Sequence, residues 1–144
     1  MIDLEVVDRL ERWMPTFDQS FAQVTPTPFL PDATTKNVIV YAGRLSGIVD
    51  VDTVCFGDPL RTVGLTRMAL LSMGAATEYI DFWTAAMGMR EDRQEILDFY
   101  TATFCVDFLG EIGHAFNRNA PEPVATARQE RLLTILSTLI PGLR

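Results

Sequence analysis

Asp32-Ala-Thr-Thr-Lys36-Asn37-Val-Ile-Val-Tyr41-Ala-Gly43-Arg44-Leu45-Ser-Gly-Ile-Val-Asp50 is the stretch that decides how this chain is read. Two β-branched runs, Asn37–Tyr41 and Leu45–Asp50, flank Ala42-Gly43-Arg44. A short glycine-containing connection between such runs predicts a β-hairpin. Closing that hairpin carries Asn37 and Asp50 to one edge. Asp32, five residues before Asn37, stands on the loop leading into the same edge. Amide and carboxylate oxygens gathered in this way suit a hard cation such as Mg2+, completed by water and substrate phosphates.

Outward from the hairpin the pattern changes. Upstream, Ile2 to Trp13 predicts an amphipathic helix with Leu4, Val7 and Leu10 on one side, stopped by Pro15. Phe17 to Val24 is a second helical candidate, and Thr25-Pro26-Thr27-Pro28 must be extended because a residue before proline is pushed out of the α region. Downstream, Gly57-Asp58-Pro59 reads as a helix entry, with Asp as the cap and Pro in the first turn. Helices are then predicted over 60–73, closing at Gly74, over 77–87, over 91 to about 116, and over 123–140. The fold class expected is α+β, mainly α: one small hairpin packed on four to five helices. Residues 1–144 form a single domain, with a leading helix and extended linker at 1–31, the loop and hairpin at 32–58, and a helical part at 59–144.

With 48% apolar residues the chain has the material for a core, and its net charge of −7 excludes nucleic acid or an anionic membrane held by bulk charge. Cys55 and Cys105 each lie in an apolar run without metal-ligand spacing, so both read as small core residues. The first residues lack the basic and apolar regions of a secretory signal, and no stretch reaches the ~20 apolar residues of a membrane span. A soluble cytoplasmic protein is expected.

The triplet Asp32, Asn37 and Asp50, followed by Phe56-Gly57-Asp58-Pro59, resembles the aminoglycoside phosphotransferase and choline kinase family, whose fold is protein-kinase-like. The family pattern is His-Gly-Asp-x-x-x-x-Asn, two short strands ending in Asp, and Gly-Asp-Pro opening the next helix. The motif covers about thirty residues. The resemblance implies ATP-dependent phosphoryl transfer to a hydroxyl of a small molecule. Asp32 is then the catalytic acid/base, Asn37 and Asp50 hold Mg2+ and with it ATP, and Asp58 caps the next helix and braces the loop. Leu30 and Pro31 stand where the pattern has His and Gly. The family's N-terminal lobe has no counterpart among the thirty-one residues before Asp32, and the one lysine, Lys36, lies inside the loop. The expectation is therefore a truncated, kinase-like C-terminal lobe of impaired activity, partnered by a missing N-terminal lobe or by a second copy. The alternative is a non-catalytic binding or assembly module that keeps the same lobe.

Other residues have plainer readings. Asp52 is either close to the metal edge or an exposed turn acid. His114 reads as a residue near a helix end rather than a catalytic group. Phe82, Trp83, Phe99, Tyr100, Phe104 and Phe108 are at core spacing. Glu78, Asp81, Asp107 and Glu111 read first as a solvated face and second as a surface for a cationic substrate.

Overall fold

The opening helix, α1 (Leu4–Trp13), buries Val6 and Leu10, and Leu4 is 77% exposed. The inward stripe therefore runs through Val6, Leu10, Trp13 and Phe17, not through Leu4 and Val7 as the spacing suggested. The reason is aromatic packing: Trp13 meets Phe99 edge-to-face and Phe17 meets it at a tilt, at 5.6 and 5.3 Å between ring centroids, which sets the rotation of the helix. The α-helix ends at Trp13, as Pro15 predicts, and the path continues in a tighter form. Pro15 occupies the first turn of a 3-10 segment, Met14–Phe17, where its missing N–H costs nothing, and α2 (Asp18–Ala22) follows directly.

The computed structural model describes residues 4–31, 37–111 and 126–143. Within them the chain is α+β and mainly helical. The expected hairpin is formed by β2 (Val38–Tyr41) and β3 (Arg44–Ile48). Its turn is the pair Ala42-Gly43, with φ of 49° and 74°, so both residues take the left-handed conformation that a tight two-residue hairpin demands. Arg44 thus belongs to the second strand, which ends at Ile48 and leaves Asp50 beyond it. A second antiparallel pair was not evident from the residues: β1 (Thr27–Phe29) lies against β4 (Cys55–Gly57), with Pro28 opposite Phe56. Pro28 is tolerated because a two-stranded pair has only edge strands.

Five helices of nine residues or more are described: α1, α3 (Leu60–Met73), α4 (Glu78–Ala86), α5 (Gln94–Glu111) and α6 (Thr126–Leu139). Glu91–Arg93 is a 3-10 turn leading into α5, and the stretch predicted to continue the helix to about 116, with His114, lies outside the described residues. The core sits where α3, α5 and α6 meet, around Val63, Met68, Leu97, Cys105, Leu132 and Leu136. The C-terminus of α3 closes as expected at Gly74, φ 70°, with the Ala75 N–H donating to the Leu70 carbonyl at 2.9 Å. Arg131 of α6 donates to the Ser72 carbonyl at 3.3 Å, placing a cation on the negative end of α3. Both cysteines are free; Cys105 is fully buried, but Cys55, at the start of an edge strand, is only half-buried. Phe82 is also not core: it is 74% exposed, because Ile80 and Thr84 form the inward side of α4. No described helix is long and apolar enough to cross a membrane.

Candidate functional site

The β1–β4 pair is the base of the site. It brings Phe29 opposite Cys55, so everything between them, loop and hairpin together, is one excursion returning to its starting point. At the mouth of the hairpin the Val49 N–H donates to the Asn37 carbonyl at 2.9 Å. Asp50 is the next residue along, so Asn37 and Asp50 share one end of the hairpin, as the motif spacing predicted. Asn37 is half-buried and Asp50 exposed. Asp32, the expected acid/base, lies outside the described residues, and so does Lys36.

Asp50 has φ of 58°. A left-handed backbone costs an L-residue roughly 1–2 kcal/mol, less for Asp, whose short polar side chain tolerates it. Such conformations persist only where the surroundings impose them, and they concentrate at functional sites. Asn37 and Asp50 offer one amide and one carboxylate. Among the described residues no three His, Cys, Asp or Glu side chains come together as a metal site. A two-ligand set of hard oxygens fits Mg2+ bound mainly through water and phosphate, and is too sparse for an ion caged by protein alone. Asp52 is exposed, in the irregular segment between β3 and β4.

Asp58 does what its sequence position suggested and more. Its Oδ1 accepts the Leu60 N–H at 3.0 Å, and its carbonyl accepts the Arg61 N–H at 3.1 Å. Pro59 is the residue flanking the helix, so the capping carboxylate comes from one position earlier than expected. Its Oδ2 is paired with the Arg93 guanidinium and accepts the Tyr100 hydroxyl at 3.4 Å. Burial of Tyr100, reinforced by the adjacent Asp58 carboxylate, pushes its phenol up to about 12. Arg93 and Tyr100 lie 35 and 42 residues from Asp58. No local pattern links them, and only the packing of α3 on α5 does.

A groove of about 950 Å3 runs between the hairpin and helices α3, α4 and α5. Pro31 and Val38, the residues flanking the Asp32–Asn37 loop, form part of its wall. Val38 pairs with Ile48 and Val40 with Leu45 across the hairpin, so these four share one face, the face that carries the groove-lining Val38 and Val40. The far wall is Leu65 and Met73 of α3, Tyr79 and Trp83 of α4, and Phe104 and Phe108 of α5. Of the four acids considered for a cationic substrate, Asp107 and Glu111 line this groove, whereas Glu78 and Asp81 do not.

Comparison with known proteins adds no relative: no family model, no curated protein and no solved structure matches the chain.

Proposed function

We propose that the chain is the kinase-like C-terminal lobe of a small-molecule phosphotransferase in the cytoplasm, as its resemblance to the aminoglycoside phosphotransferase and choline kinase family implies. The observation that carries this reading is the convergence of Asn37 and Asp50 at one end of the hairpin, with Asp50 in a left-handed backbone conformation. In this reading Asp32 accepts the proton of the acceptor hydroxyl as its oxygen attacks the γ-phosphorus of ATP, and ADP departs with the electron pair of the broken P–O bond. The Asn37 amide and the Asp50 carboxylate hold Mg2+, which neutralises the polyphosphate charge. Positioning and charge neutralisation supply nearly all the catalysis of phosphoryl transfer, so a single lobe is expected to turn over slowly.

The test is a Mg·ATP titration followed by calorimetry, with Asn37→Ala and Asp50→Ala as controls. A saturable response lost in both variants supports the reading. No response from the folded chain, or a response untouched by either substitution, refutes it.

A non-catalytic assembly module is the second reading. It is favoured by the hairpin region, where Val40, Tyr41, Leu45 and Phe56 are each more than 60% exposed. Large apolar side chains left exposed in this number are what a partner's surface would cover. A concentration-dependent dimer by light scattering, abolished by Tyr41→Glu with no change in Mg·ATP response, would favour this reading over the first.

A further inference from the structure

Among the described residues, two two-stranded sheets present four outer strand edges. An open edge is a row of N–H and C=O groups that another strand can join, and three of these edges are ill suited to it. β1 contains Pro28, which has no N–H to give, and β4 is only three residues long. β3 carries Arg44 and is bulged at Ser46, which has no partner between the pairs Val40–Leu45 and Ile39–Gly47. β2 has none of these features. Val38-Ile39-Val40-Tyr41 is uncharged and lacks proline and glycine; it is made of three β-branched residues and an aromatic one, the types that favour strands. Ile39 is 47% exposed, Val40 62% and Tyr41 78%.

The ladder shows which groups of β2 point outward. Tyr41 pairs with Arg44 around the two-residue turn, and the Asn37 carbonyl accepts the Val49 N–H at 2.9 Å, so both ends of the strand turn their backbone groups toward β3. By alternation Ile39 does the same, and Val38 and Val40 aim their N–H and C=O groups away from it. A lone two-stranded hairpin is marginal in water, and further strands stabilise it.

We infer that β2 pairs antiparallel with β2 of a second copy of this chain, joining the two hairpins into one four-stranded sheet. This states how the assembly module of the second reading assembles, and it rests on that reading. A two-fold axis makes identical strands antiparallel and sets Ile39 opposite Ile39, with Val38 of each copy hydrogen-bonded to Val40 of the other. Charge selects a second copy as the occupant. The chain carries a net −7, so two copies repel each other over most of their surface, yet residues 37–49 hold a single charged side chain, Arg44. The two-fold axis sends the two Arg44 side chains to opposite ends of the pair. β3 becomes the outer strand on both sides, and its bulge ends the sheet at four strands. Pairing between four-residue strands closes less than the ~800 Å2 that each partner gives to a standard interface, so the dimer exchanges with monomer.

Sedimentation of the full chain between about 1 μM and about 1 mM should show a monomer–dimer equilibrium. Val40→Pro removes an N–H that the hairpin itself does not use. Two hydrogen bonds vanish per dimer, so association should weaken at least about tenfold. Cysteine pairing reads the register independently, in a Cys55→Ser background that leaves buried Cys105 as the one native thiol. Residues facing each other in a pair without mutual hydrogen bonds have Cα atoms about 4.5 Å apart, within the ~4.4–6.8 Å that a disulfide spans. Ile39→Cys should therefore oxidise to a covalent dimer. Tyr41→Cys, whose counterpart lies about 13 Å along the pair, should not. A chain that stays monomeric throughout overturns both the inference and the assembly reading, and leaves this edge to a strand of another protein. A dimer that Tyr41→Glu abolishes overturns the inference alone if Val40→Pro leaves it intact, or if Tyr41→Cys crosslinks as readily as Ile39→Cys.

Discussion

A Cβ placed on Gly64 would stand 2.7 Å from the Cβ of Tyr100 and 3.1 Å from its backbone carbonyl carbon. Helices α3 and α5 cross at this point, and the opposing atoms belong to the stiff part of Tyr100, so rotation of a side chain relieves nothing. Gly64→Ala must push the helices apart. Overpacking of this kind costs about 1–3 kcal/mol, and here the upper end is expected. Chemical denaturation should show a lowered midpoint with an unchanged slope. A stability within ~0.5 kcal/mol of the parent chain would mean that the crossing is looser than this.

The same crossing carries the Asp58–Arg93 pair. Asp58 is 8% exposed at its side chain and Arg93 24%, so removal of one partner leaves a charge largely cut off from water. Asp58→Asn and Arg93→Met should each cost about 2–4 kcal/mol. The double variant should lose less than the sum by at least ~1 kcal/mol. Additive losses in that cycle would show that Asp58 matters only as a helix cap.

Asp50 separates backbone demand from chemistry. Asn accepts a left-handed backbone as readily as Asp, and a β-branched residue does not. Asp50→Asn is therefore expected to melt within a degree or two of the parent, and Asp50→Val to lose about 1–2 kcal/mol. Both should abolish the Mg·ATP response, since neither supplies a carboxylate. If Asp50→Asn keeps that response, the carboxylate is not a ligand.

Alkaline pH should unfold the chain, with two groups responsible. Burial raises the Cys105 thiol from its ordinary 9.0 to about 12, with Arg67 opposing, and burial with Asp58 raises the Tyr100 phenol from 10.0 to about 12. Each group holds its proton more tightly in the folded chain than in the unfolded one. Their stabilisation is therefore complete below pH 9 and is lost as pH rises through about 12. The melting temperature should fall across that window, and less steeply in Cys105→Ala once its lower starting stability is subtracted. The thiol reagent DTNB at pH 8 should label half-buried Cys55 and spare Cys105 until the chain unfolds. Rapid labelling of both thiols in the native chain would contradict the burial.

Signals local in the chain were legible in the residues themselves. The β-branched runs around Ala42-Gly43 specify a hairpin because the turn and the strands need only each other. Gly74 specifies where α3 ends, because only glycine takes that conformation without cost. Asn37 and Asp50 were placed together by the same logic, since hairpin closure sets their separation. Phe82 and Leu4 were misread because a helix of apolar residues does not declare which side faces inward; neighbouring helices decide that, through contacts such as Phe17 on Phe99. Pairing β1 with β4 joins two three-residue strands across the whole hairpin excursion, and neither is long enough to carry an alternation that identifies its partner. The groove belongs to the same class. Its walls come from Pro31, the hairpin, α3, α4 and α5, which only the packing of the chain brings together. Local backbone chemistry is written in adjacent residues, and the sites that bind are written in distances between residues far apart in the chain.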